Sequence, residues 1–208
     1  MYIVFEGIIG TGKTTQSKLF VNFLTSSYPN KKSIWTREPG GSEIADEIRR
    51  VVQGTKFSEK MDPICDAYLY AASRAQTLRT IVKPELDKGT IVVSDRNFLT
   101  SLSFQAFGVG LGIEKVWEIN KIAVGDIIPD LIVFLDLDLK TALTRTQDPS
   151  GDKWESMDEK FFIAAKKGYL EASKLGFLKD KFIIIDARGT IPKVQKIIQN
   201  EFKARYKS

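Results

Sequence analysis

The run Gly7-Ile8-Ile9-Gly10-Thr11-Gly12-Lys13-Thr14 fits the pattern G-x-x-x-x-G-K-[ST], and it follows directly on the apolar run Tyr2-Ile3-Val4-Phe5. This pairing restricts the fold more than any other feature of the chain. Such a loop must join a buried strand to the first turn of a helix, so that backbone amides and the helix dipole face one anion. Gly7, Gly10 and Gly12 let the backbone turn its N–H groups inward around phosphate oxygens, with Thr11 and Thr15 alongside. Lys13 is then placed for the β- and γ-phosphates and the Thr14 hydroxyl for Mg²⁺. The loop therefore implies a bound nucleoside triphosphate. It does not separate a small-molecule kinase from a GTPase or a motor ATPase, although the base-reading pattern N-K-x-D is absent.

The rest of the chain continues the alternation that the loop begins. Apolar runs at Ser33–Thr36, Thr90–Val93, Leu131–Leu135 and Lys181–Ile185 predict four further strands. Helical spacing follows Lys13 (Leu19, Phe20, Phe23, Leu24), follows Gly41 (Ile44, Ile48, Val51, Val52) and runs from about Asp62 to Val82. A last helix spans about Ile191 to Tyr206, with Pro192 in its first turn. Strands alternating with helices must lie parallel, and continuous apolar strands must be covered on both faces. The expected fold is α/β: a doubly wound, five-stranded parallel sheet flanked by helices, in one domain over residues 1–208. The polar, turn-rich stretch Gln147–Met157 is a candidate mobile loop.

Composition narrows the chemistry. The 208 residues include no histidine and one cysteine, Cys65. Ser-His-Asp triads, histidine metal sites, an internal disulfide and cysteine-zinc spacing are all excluded. Cys65 reads as a buried small hydrophobe. The net charge of +5 suits an anionic ligand, but the lysines are dispersed rather than gathered into the stripe that nucleic acid requires. No apolar run approaches the length of a membrane helix, and Met1–Phe5 runs straight into Glu6, unlike a signal peptide. The chain reads as cytoplasmic, with no nucleic-acid or membrane partner.

Ligands of open α/β sheets bind outside the carboxyl ends of the strands. Arg37 after the second strand and Arg96 after the third therefore project toward the phosphate loop, where an arginine fork matches phosphate oxygens. Arg74 lies on the long helix. Asp95, after the third strand, is placed for Mg²⁺, directly or through water. Asp136 and Asp138 after the fourth strand read as structural, with Asp136 a candidate helix cap.

Several motifs together resemble the thymidylate kinase family. They are the loop from Phe5-Glu6-Gly7 to Thr15-Gln16, the run Thr36-Arg37-Glu38-Pro39-Gly40-Gly41-Ser42, and Tyr70-Ala71-Ala72-Ser73-Arg74-Ala75-Gln76. Ser94-Asp95-Arg96, Ser101-Leu102-Ser103-Phe104-Gln105 and Pro129–Asp136 complete the set. The resemblance implies transfer of the ATP γ-phosphoryl group to dTMP, giving dTDP, with Mg²⁺. It also implies a homodimer, for which Leu99, Leu102 and Val109 offer one apolar face. Arg37, Arg74 and Arg96 would hold the dTMP phosphate, and Glu38 would line the acceptor site. Tyr70 would stack on thymine, Gln105, Arg74 and Ser101 would contact the base or its surroundings, and Phe104 would pack on the deoxyribose. The stretch 147–156 takes the place of a lid over ATP, with Arg145 and Arg188 beside the adenine.

The sequence departs from the family at Ile9, where an acid near the acceptor sugar is usual, and at Phe98, close to a commonly polar position. Lys153 stands where lid-type members carry arginine, and Thr11 supplies none from the loop. Lys153 is then the expected stand-in on the transition state. Two other readings remain. One is a deoxynucleoside kinase phosphorylating a sugar hydroxyl, with Glu6 or Glu38 as base. The other is a non-catalytic nucleotide- or nucleic-acid-binding module.

Overall fold

The computed structural model describes residues 1–54, 57–146, 153–154 and 156–206. Most of the expected lid, residues 147–152 and 155, lies outside them. Five strands form one sheet: β1 (Tyr2–Glu6), β2 (Ser33–Arg37), β3 (Ile91–Asp95), β4 (Leu131–Asp136) and β5 (Phe182–Asp186). All pair in parallel, in the order β2-β3-β1-β4-β5. β1 is central, with Phe5 opposite Asp95 on one side and Val133 on the other. The chain winds outward from β1 in both directions, so the loop after β1 opens into the crevice where strand order reverses.

Each strand reaches further toward its carboxyl end than its apolar run predicts, and each ends on a charged residue: Glu6, Arg37, Asp95, Asp136 and Asp186. Hydrophobic patterning cannot register these last positions, because a polar side chain there still completes the backbone ladder. Arg37 and Asp95 are thus terminal strand residues rather than loop residues, rigidly aimed from the carboxyl edge.

The two faces are covered by different partners. Ile3, Phe5 and Val93 belong to a core with Phe20 and Leu24 of α1 (Lys13–Ser27) and Phe202 of the last helix, Ile191–Arg205. The Phe5, Phe20 and Phe202 rings lie 5.2–5.6 Å apart in succession. Each such ring contributes about 1.5–3 kcal/mol by burial. Tyr2, Val4 and Val92 face the other way, onto Leu78, Val82 and Ile127.

After α2 (Glu43–Val52), the long helix begins as α3 (Pro63–Thr77), capped by Asp62 on the amides of Ile64 and Cys65. It continues through a π turn, Leu78–Val82, into α4 (Lys83–Asp87), beyond the expected end. Pro84 supplies no N–H and would crowd the preceding turn of a regular helix; the wider π turn accommodates it. Helix α5 (Phe98–Ser103) likewise passes into a π turn, Phe104–Gly108, before α6 (Ile113–Val124). Leu99 and Leu102 are fully buried core residues, so they form no free apolar face, while Val109 is partly exposed. Cys65 is exposed, not buried, because the first turn of α3 lies at the surface. In α7 (Leu139–Thr144), the cap is Asp138, not Asp136: Asp138 accepts from the Thr141 amide, whereas Asp136 pairs with Lys166. Lys166 lies on α8 (Glu159–Ala172), and the last helix is α9.

Candidate active site

The donor side is built from the backbone of residues 7–12. Gly10 has φ +67°, and a Cβ there would come within 2.0 Å of the Ala142 carbonyl oxygen, so only glycine fits. Gly12, at φ 88°, caps α1, whose first residue is Lys13. Lys13 folds over the loop: its Nζ donates to the Ile8 carbonyl at 2.6 Å, and the Thr11 hydroxyl donates to the same carbonyl at 3.0 Å. The Thr14 hydroxyl touches Asp95 Oδ2, while Asp95 Oδ1 is buried with no hydrogen-bond partner among the described residues. An orphaned carboxylate oxygen beside a hydroxyl fits a hard, oxygen-seeking cation such as Mg²⁺, which uses one or two carboxylates plus phosphate oxygens.

Two cavities meet at this loop. The first, about 630 Å³, is lined by residues 10–16 with Arg145, Thr146, Ala187 and Gly189–Ile191. Arg145 donates to the carbonyls of Ala187 and Arg188 at 3.0 and 3.4 Å. The Arg188 guanidinium turns outward onto Asp186 and does not line this cavity.

The second cavity, about 270 Å³, shares Gly10, Lys13, Thr14 and Thr146 with the first. Lys13, Lys18, Arg37, Arg49 and Arg96 converge on it, together with Glu38 and Asp95. Arg37 pairs with Asp46 at 3.2 Å, and Arg49 donates to the Pro39 carbonyl at 2.9 Å. Gly40 and Gly41 hold the turn beneath them. Both have positive φ, and a Cβ on either would fall within 2.5 Å of Asp46 or Thr36. Arg96 sits at φ 72°, a region non-glycine residues avoid, and Ser94 fixes it by donating to the Arg96 carbonyl at 2.7 Å. Its Nη1 donates to the Gly7 carbonyl, the Thr100 hydroxyl and the Tyr169 hydroxyl.

Behind Arg96, Glu6 is fully buried and saturated: it accepts from the Asn97 amide, the Thr100 hydroxyl and the Tyr169 hydroxyl at 2.7–3.0 Å. Burial raises the Glu6 pKa, against the opposing charge of Arg96 and these hydrogen bonds. Burial, and then the charge of Glu6, also raises that of Tyr169. Glu38 is raised by burial as well, with Arg74 opposing.

Arg74 is not at the cavity. It is 2% exposed beneath the floor, where Nε donates to Glu38 at 2.6 Å and the fork engages Ser101, Asn120 and the Asn97 carbonyl. Gln105 is similarly turned inward, donating to Asp66 at 2.8 Å. Tyr70 and Phe104 line a third, small space beside the second cavity, together with Trp154. Lys153 pairs with Asp66 and does not line the 630 Å³ cavity.

Arg49, Lys18, Asn120, Tyr169 and Trp154 were not anticipated as site residues. Arg49 carried a signal: Asp46, Arg49 and Gln53 form a polar stripe at helical spacing, of which Arg49 and Gln53 line the cavity and Asp46 pairs with Arg37.

Comparison with known proteins identifies the family. The family model for thymidylate kinase matches residues 5–198. A thymidylate kinase of Mycoplasma mobile is 37% identical over 97% of both chains, and one of Desulforudis audaxviator is 42% identical over 82% of this chain and 76% of its own. The crystal structure of thymidylate kinase from Ehrlichia chaffeensis superposes with a TM-score of 0.79 over 97% of this chain and 98% of its own, at 24% identity. A backbone-built phosphate loop, a facing cluster of arginines and this extent of similarity lead to one assignment: the chain belongs to the thymidylate kinase family.

Proposed function

We propose that the enzyme transfers the γ-phosphoryl group of ATP to dTMP, with ATP in the 630 Å³ cavity and the dTMP phosphate in the 270 Å³ cavity. One observation carries the reading. Lys13, Lys18, Arg37, Arg49 and Arg96 converge on a space that opens onto the phosphate loop, and so much positive charge is matched by an acceptor that already bears a phosphate. Lys13 and Thr14 line both cavities, so they stand where the transferring group must pass.

An acceptor phosphate oxygen attacks the γ-phosphorus, the bond to the β-bridging oxygen breaks, and ADP leaves. The acceptor is largely dianionic near pH 7, because its second pKa is about 6. It needs no general base, in keeping with a chain that lacks histidine. The work left to the protein is orientation and charge neutralisation. Lys13 neutralises the donor phosphates, while Arg37, Arg49 and Arg96 hold the acceptor. Thr14 and Asp95 would hold Mg²⁺, which when bound neutralises charge on the phosphoryl oxygens. Arg145 supports the adenine end through its grip on the Ala187 carbonyl. Arg74, Ser101 and Gln105 act from beneath, by holding Glu38 and the π turn in place.

The deoxynucleoside kinase reading fares less well. Glu6 is saturated by three donors. Glu38 commits Oε2 to Arg74, while its Oε1 has no hydrogen-bond partner among the described residues, which leaves one carboxylate oxygen there for a base. The convergence of Lys18, Arg37, Arg49 and Arg96 on the same cavity, however, suits a phosphorylated acceptor rather than an uncharged nucleoside. A homodimer is supported by the exposed apolar side chains Ile44, Val51, Tyr68 and Ile122 on helices α2, α3 and α6, of which α2 and α6 both pack on α3. Light scattering of the purified chain tests it.

The deciding experiment is a coupled ADP-release assay with ATP and Mg²⁺, comparing dTMP, dUMP and thymidine. Turnover with dTMP far above thymidine is expected. Turnover with thymidine and none with dTMP would overturn the proposal.

A further inference from the structure

The acceptor site is open at its phosphate end and filled at its other end by the chain itself. The indole of Trp154 is 6% exposed. It stacks on Phe161 (5.3 Å, 20°), meets the edge of Phe104 (5.4 Å, 81°) and lies 6.1 Å from Tyr70. Its N–H donates to the Tyr70 hydroxyl at 2.6 Å. Next to it, the Lys153 ammonium pairs with Asp66, whose other oxygen accepts from Gln105. The space left between Tyr70, Phe104, Arg96 and Trp154 is about 20 Å³. That is room for about one water, which needs about 10–15 Å³ on the same measure. No pyrimidine ring enters it. Tyr70 and Phe104 line this space, which shares Ile9, Gln53 and Arg96 with the phosphate-end cavity, and Trp154 occupies the slot that a planar base there would need.

We infer that Trp154 is a built-in competitor for the base of the acceptor: a nucleoside monophosphate seats its base only by displacing the indole from between Tyr70 and Phe104. The inference rests on the phosphorylated-acceptor reading above. A flat aromatic ring with an N–H donor offers the stacking faces a planar base would offer and one of the base's several polar contacts. Acceptor affinity is then reduced by the fraction of molecules in which the slot is open. Selectivity follows, because a phosphate compound without a planar base can occupy the phosphate end but cannot replace the indole's contacts. Lys153 is adjacent in the chain, so displacement of the indole also releases its ammonium from Asp66.

The test uses the full chain labelled with 5-fluorotryptophan. Trp35, Trp117 and Trp154 give three ¹⁹F resonances, and Trp154→Phe assigns the third. Saturating dTMP is expected to move the Trp154 resonance to a solvent-exposed isotope shift, while inorganic phosphate leaves it buried. In steady-state assays, Trp154→Ala is expected to lower the KM for dTMP roughly three- to tenfold and to leave the KM for ATP within about twofold, as relief of self-competition requires. A purely structural role would raise both constants. If dTMP binds and turns over while the Trp154 resonance stays buried, or if Trp154→Ala raises the KM for dTMP, the indole is a wall of the pocket and the inference fails alone. If neither form of the enzyme uses dTMP, the acceptor reading fails and takes the inference with it.

Discussion

The donor and acceptor cavities share Lys13 and Thr14 but are built from different material. The donor side is backbone: residues 7–12 wrap the phosphate space, and the conformation depends on glycines such as Gly10, pressed against the Ala142 carbonyl. The acceptor side is side chain: arginines from β2, α2 and the end of β3 meet across the sheet edge, and each is held by a carboxylate, a carbonyl or a hydroxyl. A backbone site recognises any triphosphate tail and tolerates little sequence change. A side-chain site can be retuned one residue at a time, so on the proposed assignment of the cavities specificity for the acceptor resides there.

This contrast yields a first prediction. Lys13 serves both cavities, so Lys13→Ala should reduce kcat by roughly 10³-fold, with either substrate saturating. A variant that lost only ATP affinity and kept kcat would show that Lys13 belongs to the donor side alone. The next largest effect separates the floor of the acceptor site from its walls. Arg74→Ala leaves Glu38 buried without its partner, a change that costs about 3–5 kcal/mol. The thermal midpoint should fall on the order of 10 °C. If Arg74→Ala instead keeps its stability and loses only dTMP affinity, the guanidinium belongs at the cavity and not beneath it. A smaller effect is expected for Arg96→Lys, which keeps the charge and loses the fork. The KM for dTMP should rise about ten- to a hundredfold, the worth of one or two charged hydrogen bonds, while the KM for ATP changes little. Equal shifts in both constants would blur the division between the cavities.

The same contrast explains what could be read from the sequence. The donor loop is contiguous, so its motif, its strand and its helix were all visible in residues 2–24. The five strands were visible as apolar runs, but not their charged last residues, because hydrophobic patterning is blind to a polar group that completes a ladder. Arg37 and Arg96, which lie in short motifs, were legible as residues that the fold brings to the second cavity. Those that depend on distant partners were not. Asn120 meets Arg74 across 46 residues and Trp154 meets Tyr70 across 84. No local spacing encodes such contacts; the fold creates them. Cys65 shows the opposite limit: a residue type that is usually buried was placed outward by the turn it occupies.

Glu6 offers the finest distinction, because it belongs to β1 yet supports the acceptor-side Arg96 through Thr100 and Tyr169. Burial raises its pKa above the ordinary 4.5, and the charge of Arg96 only partly opposes this. With the folded-state pKa the higher one, the native protein binds more protons than the unfolded chain between the two values. Stability then falls as pH rises from about 4.5 through the folded pKa, and levels off above it. Glu6→Gln removes the titration and keeps a side chain of the same shape. The difference in thermal midpoint, Gln variant minus wild type, should therefore grow as pH rises through that window and then stay constant. A difference that shrinks with rising pH would reverse the assignment: Arg96 would then dominate burial, and Glu6 would act as the permanent counter-charge that holds this arginine at the acceptor cavity.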